Sequence, residues 1–288
     1  LFSNTTGTSN VGIGSGALYS NTTGFSNTSI GNSSLGINTT GDSNCAMGAF
    51  ALSLNTTGAN NTAIGSSTLS FNFTGSSNVA VGSNALRMNT ASNNTAIGFE
   101  SMEANSSGTL NTAVGYRSLE DNTTGSNNTA MGENALANNT TASNNTALGS
   151  GALKVNTTGI KNTAIGTSTL TANITGSENT AIGFNALAAN TSSTGNVAVG
   201  ANALQTATTG SSNTAVGYNA LMNATIATHN TAIGYQNLNA LTSGSQNIAV
   251  GSNILNALTV ASNNIGIGYN ILTANVSGGF NIGIGFNI

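Results

Sequence analysis

Glu103 and Glu120 stand seventeen residues apart, an interval that recurs along the whole chain. Stacked at that interval, the two carboxylates would lie about one strand spacing apart, as a general acid and base require. Arg87 precedes them in the same column, and Arg117 follows Glu100 in another. No histidine or cysteine accompanies these acids, so the expectation is a solvated patch of ion pairs, each worth little. His229, the one histidine, sits beside Asn230 in a turn and is expected to face solvent. Cys45, the one cysteine, permits no internal disulfide and is read as filling space. Together these residues predict a protein that is not an enzyme.

Cofactor chemistry is no better served. A calcium-binding roll repeats Asp in its Gly-rich turns, whereas the turns here carry Asn, Thr and Gly, so no metal is expected. Gly12, Gly14 and Gly16 lack the following helix and the lysine of a phosphate loop. Charged residues are 4% of the chain and the net charge is -3, which gives nucleic acid or an anionic membrane nothing to hold. No run of about twenty apolar residues offers a membrane span. No basic-then-apolar leader opens the chain, but Leu1 in the place of Met is compatible with a leader already removed.

The elements that position these residues are repeats. A glycine preceded by Ile, Val, Leu or Met recurs from Gly14 and Gly31 to Gly268 and Gly285, seventeen times. Each step is seventeen residues except the sixteen between Gly82 and Gly98, where the turn Asn89-Thr90-Ala91-Ser92 is one residue short. An Asn stands four residues before every such glycine, and a Leu four after it, with Met102 the one exception in that column. The consensus is N-T-A-I-G-x-x-A-L-x-x-N-T-T-G-x-x.

Seventeen residues are too few for a helical hairpin, and the recurring columns adjoin turn-forming Gly and Asn. The predicted fold is therefore all-β, a parallel β-solenoid, or β-roll, of seventeen 17-residue coils. Residues 1–288 form a single repeat array, read as a segment of a longer fibre. Asn-Thr-Ala-Ile is expected to form one strand, Ala-Leu-x-x a second, and Asn-Thr-Thr-Gly the return turn. At roughly 4.8 Å per coil, such an array would be a rod of about 80 Å. Stacking puts like over like: Asn61, Asn78, Asn94, Asn111 and Asn128 should form an amide ladder, and Ile64, Val81, Ile97, Leu69 and Leu86 the core. Towards the C-terminus Ile248, Ile265 and Ile282 replace Thr, and Ile254 and Ile271 replace Ala, which predicts tighter packing there.

Two large apolar side chains per coil offset little of the entropy lost in ordering it. The strand Thr62-Ala63-Ile64-Gly65 carries Thr and Ile on one side, Ala and Gly on the other, with no charge on either. Such a strand is expected to be covered on both sides, one side by its own coil and the small-residue side by a neighbour. A parallel homo-oligomer follows, with a trimer favoured. Aromatic residues after the repeat glycine, such as Phe99, Tyr116, Tyr218 and Tyr235, are expected to stack on one another or between subunits.

Asn4, Asn21, Asn38, Asn55, Asn72, Asn122, Asn156 and Asn173 begin Asn-x-Thr sequons in turns expected to be exposed. Glycans one strand spacing apart would clash, so no or partial occupancy is expected. Regular Thr columns also make ice binding a competing reading, weakened by the sharing of their face with Ile.

The Asn-Thr-Ala-Ile-Gly core, intact at residues 61–65, 162–166, 179–183 and 230–234, resembles the head repeats of YadA-like trimeric autotransporter adhesins. The longer stretch 230–238 also looks like repeats of phage-type tail-fibre proteins that end in a self-cleaving chaperone domain. This resemblance implies a left-handed roll, three chains around one axis and adhesion to a surface. The repeat is longer than the usual adhesin head repeat, and neither a coiled-coil stalk, a membrane-anchor barrel nor a chaperone domain is among these residues. The resulting expectation is an extracellular structural or adhesive fibre segment on a cell surface or virion. Its partners would be copies of itself and a host surface or its glycans. The alternative is a surface filament that polymerises end to end without a receptor.

Overall fold

The computed structural model describes residues 1–288, which are all-β without a helix. No helix is therefore long and apolar enough to cross a membrane. The chain divides into two compact units, Leu1–Asn144 and Asn145–Ile288. Each is a parallel β-solenoid with one short strand per coil.

In the first unit eight strands run from β1 (Val11–Ile13) and β2 (Thr28–Ile30) through β3 (Cys45–Met47), β4 (Thr62–Ile64), β5 (Val79–Val81), β6 (Thr95–Ile97) and β7 (Thr112–Val114) to β8 (Thr129–Met131). Each pairs in parallel with the next, and like residues face like: Ile64 lies opposite Val81, and Ala63 opposite Ala80. The second unit repeats the plan from β9 (Thr146–Leu148) to β17 (Ile282–Phe286). Its last four strands lengthen to five residues, beginning with β14 (Thr231–Tyr235).

The strands are short, yet the backbone ladder continues around the coil. Leu35 N donates to Ala51 O at 3.0 Å, Leu52 N to Thr68 O at 3.0 Å and Thr39 N to Thr56 O at 2.9 Å. The expected second strand at Ala-Leu-x-x is therefore absent as a strand, although its backbone still bonds coil to coil. The cause is backbone curvature: Phe50 has φ 60° and Leu52 φ 49°, and the same two columns are left-handed in coil after coil. That region costs any residue with a Cβ about 1–2 kcal/mol. Complete burial of each Leu returns about 1.5–3 kcal/mol, which makes the corner tolerable.

The repeat glycine makes the other sharp bend. Gly31 has φ +135°, and a Cβ there would lie 2.5 Å from Gly48 O of the next coil. Only glycine permits the backbones to approach so closely in that conformation.

The core is inverted relative to expectation on the strand side. Leu69 and Leu86 are fully buried as predicted, but Ile64 is 38% and Ile97 40% exposed, and Val81 is half-buried. Ala63, Ala80 and Ala96 point inward instead and are inaccessible. A coil this narrow, with its interior already holding a Leu and two Asn side chains, has room only for a methyl on the inward side of the strand. The small-residue side is thus the coil's own interior, and the Thr and Ile side is what lies outside.

The same volume rule governs the C-terminal coils. Ile254 and Ile271 are fully buried in the Ala column, and Gly266 and Gly283 replace Ala in the facing strand positions. A Cβ on Gly283 would come within 2.6 Å of Ile271 Cγ2, so the bulk added in one column is removed from the other. Ile248 and Ile282, by contrast, join the outward side.

Candidate functional site

Three arrangements in this scaffold were candidates for function: the asparagine columns, the charged cluster and the strand face. The Asn before each strand forms the predicted ladder. Asn61 N donates to Asn44 Oδ1 at 3.0 Å, and Asn61 Nδ2 donates to the same oxygen at 3.1 Å and to Gly75 O at 2.8 Å. Asn78, Asn94, Asn111 and Asn128 continue it through backbone N–H donation to the preceding Oδ1 at 2.9–3.0 Å. These side chains are inaccessible, so their amides stay paired inside the coil.

The turn asparagines form a second ladder, which corrects the expectation that their sequons are exposed. Asn21, Asn38, Asn55, Asn72, Asn122, Asn156 and Asn173 are all fully buried; Asn4 alone is exposed. Asn38 Nδ2, the atom that would carry a glycan, donates to Asn21 Oδ1 at 2.8 Å and Gly41 O at 2.9 Å. Turn asparagines look hydrophilic in sequence, but here they close the turn from within, as in an Asx turn. In the second unit Ala207, Ala224, Leu241 and Leu258 replace them and are equally buried, an apolar column in place of an amide one.

Glu100, Glu103 and Glu120 do converge, with carboxylate oxygens within 4.8 Å of one another. Two guanidinium groups are threaded among them. Arg87 lies 2.7 Å from Glu103 Oε1, and Arg117 Nε is 2.8 Å from Glu100 Oε2 and 3.6 Å from Glu120 Oε1. Hydrogen bonding to Glu100, then the charge of Glu120, pushes Arg117 above its ordinary pKa. Glu120 is raised above the usual carboxylate range, chiefly by burial, with Arg117 opposing the shift. Arg117 also lies over the Tyr116 ring, 5.3 Å from its centroid. The arrangement is the network of ion pairs anticipated for these columns. His229 is exposed in a turn at φ 58°, and Cys45 is half-buried in β3; neither is among the cluster.

The strand face is the largest arrangement. In β4 Thr62 and Ile64 point outward and Ala63 inward, and this alternation recurs along both units. Ile13, Met47, Ile64, Ile97 and Met131 make an exposed apolar column in the first unit, and Leu148, Ile182, Ile233 and Ile267 in the second. Beside it runs the Thr column, with Val79 and Val197 in places. One coil spacing suits the ring stack that borders the face: Phe99 and Tyr116 have centroids 5.9 Å apart and planes 9° apart, and Tyr218 and Tyr235 pair in the same way. That this side and not the Ala side lies outside was not legible in the sequence, because neither side carries charge.

No protein-family model, curated protein or solved structure matches the chain.

Proposed function

We propose that the chain is a structural, adhesive segment of an extracellular fibre, in which parallel copies pack through their strand faces, with a trimer the favoured count. The observation that carries this reading is the outward column of Ile, Val, Leu and Met, uncharged and repeated in every coil. Contiguous apolar surface of this extent marks an interface more often than it marks a free surface. A parallel arrangement brings like columns together, so the same contact repeats along the face. The resemblance of residues 61–65 and their counterparts to adhesin-head and tail-fibre repeats points the same way.

Sedimentation velocity tests this reading. A fixed small oligomer is expected across a wide concentration range, and Ile64→Lys together with Ile97→Lys should release folded monomers. Growth with concentration would favour the end-to-end filament instead, and a wild-type monomer at high concentration would end the proposal.

One observation favours a second reading. Thr95, Thr112 and Thr129 form an outward column at strand spacing on a face without charge, the regularity that ice binding needs. An ice-recrystallisation assay separates the two, because copies packed through this face would hide it.

A further inference from the structure

The first unit carries a shallow groove made by the segments that follow its early strands. Two adjoining hollows of about 390 and 230 Å³ share Phe50, Ser53 and Leu54. None of the residues lining them belongs to a strand, so the groove is distinct from the strand face. At one end Gly16 and Gly36 leave it without side chains, and at the other it reaches Arg87.

Its lining is both aromatic and hydroxylic. Phe50 is 48% and Phe71 37% exposed, and neither stacks on another ring. Ser70 lines the same hollow and is only 6% exposed, and its hydroxyl is not sealed from solvent. Ser20 and Ser67 add further hydroxyls to the same lining. These hydroxyls are open to the groove and free to exchange hydrogen bonds with whatever enters it.

We infer that this groove binds a neutral, linear oligosaccharide. A pyranose presents C–H faces that pack on Phe50 and Phe71, and hydroxyls that exchange hydrogen bonds with Ser67 and Ser70. Successive coils repeat such contacts at roughly 4.8 Å, close to the length of one sugar ring. An alkyl chain would use the rings and leave the serine hydroxyls unpaired. An extended peptide would need free backbone groups, yet Leu54 N donates to Ser70 O and Phe71 N to Arg87 O, so this backbone is engaged. An anionic sugar would need a free cation, and Arg87 is held by Glu103. The inference rests on the adhesive part of the function proposed above and supplies its receptor class; it does not depend on how copies associate.

The test is a calorimetric and NMR titration of the full chain with cellohexaose, maltohexaose and chitohexaose, with dodecanoate as the apolar probe. Saturable binding of a hexasaccharide is expected, weakened about tenfold, or ~1.4 kcal/mol, by Phe50→Asn and by Phe71→Ala. Asn is chosen at position 50 because Asn84 and Asn134 occupy the same left-handed column, so the fold is kept. Circular dichroism and sedimentation of both variants should match wild type. No saturable binding of any of the three sugars, binding that survives both substitutions, or dodecanoate binding in their place would overturn the inference. Sedimentation keeps the two proposals apart: a chain that associates without binding sugar loses only the groove, and one that binds sugar as a monomer loses only the association.

Discussion

Asn72 donates its Nδ2 to Asn55 Oδ1 at 3.0 Å, yet its own Oδ1 is buried and accepts nothing. In the neighbouring coils that oxygen receives the next turn asparagine, as Asn38 Oδ1 receives Asn55, but Asn89 Nδ2 keeps only the bond inside its own turn, to Ala91 O, two residues on, at 2.8 Å. The turn at Asn89 is the one that lacks a residue, and the shortened loop cannot place its amide over Asn72. The strand-side ladder passes the same coil intact, with Asn94 N 3.0 Å from Asn78 Oδ1. One deletion therefore breaks one column and spares the other.

Restoring the missing residue should repair the column. Inserting Thr after Thr90 gives Asn-Thr-Thr-Ala-Ser, the sequence already present at residues 139–143. Pairing Asn72 Oδ1 removes a penalty of about 1–3 kcal/mol. The expected result is a higher denaturation midpoint, with slower amide exchange around residues 72 and 89; an unchanged or lower midpoint would contradict this account.

The strand-side ladder should be the more sensitive one. Asn61→Ala would leave Asn78 N without an acceptor and take one of two donors from both Asn44 Oδ1 and Gly75 O, all of them inside the coil. A loss of about 3 kcal/mol or more is expected. Asn72→Ala should cost less, because that side chain already lacks one partner. Chemical denaturation of the two variants side by side checks the order.

The inverted core makes a matching prediction. Leu86→Ala empties the interior and should cost about 2–5 kcal/mol. Ile97→Thr, on the outward side beside a column of Thr, should barely change the stability of a dissociated chain. Equal losses at the two positions would restore Ile to the core.

Glu120 gives a pH dependence with a definite sign. Its folded pKa lies above the ordinary value because burial penalises the carboxylate more than Arg117 rewards it. The folded state thus holds the proton more tightly, and the resulting stabilisation is complete below the ordinary glutamate range and lost as pH rises through the raised pKa. Glu120→Gln should remove that part of the pH profile and be tolerated at neutral pH. A marked loss at pH 7 would instead mean that the 3.6 Å contact with Arg117 dominates.

Glycosylation distinguishes buried from exposed sequons. In a secretory host with the machinery, folded protein should carry a glycan at the exposed Asn4 and none at Asn21, Asn38 or Asn55, which are buried with each Nδ2 donated to the asparagine of the preceding coil. Mass spectrometry of the soluble fraction reads this directly; occupied ladder asparagines in folded chains would overturn the assignment.

The sequence by itself determined the period, the parallel register and the identity of each column. A fixed interval allows stacking in only one alignment, which is why Ile64 meets Val81 and Asn61 meets Asn44 across neighbouring coils. It also placed Leu69 and Leu86 in the core and Glu103 beside Arg87. It could not decide which side of the strand faces inward, because alternation separates two sides without labelling them when neither is charged. Volume supplied that label: inside a coil shared with Leu and two amide columns, Ala63 fits and Ile64 does not. The left-handed corners at Phe50 and Leu52, the burial of turn asparagines such as Asn38, and the groove beside Phe71 likewise came only from closure of the coil. Each depends on the path of the backbone through three dimensions, which a list of columns does not contain.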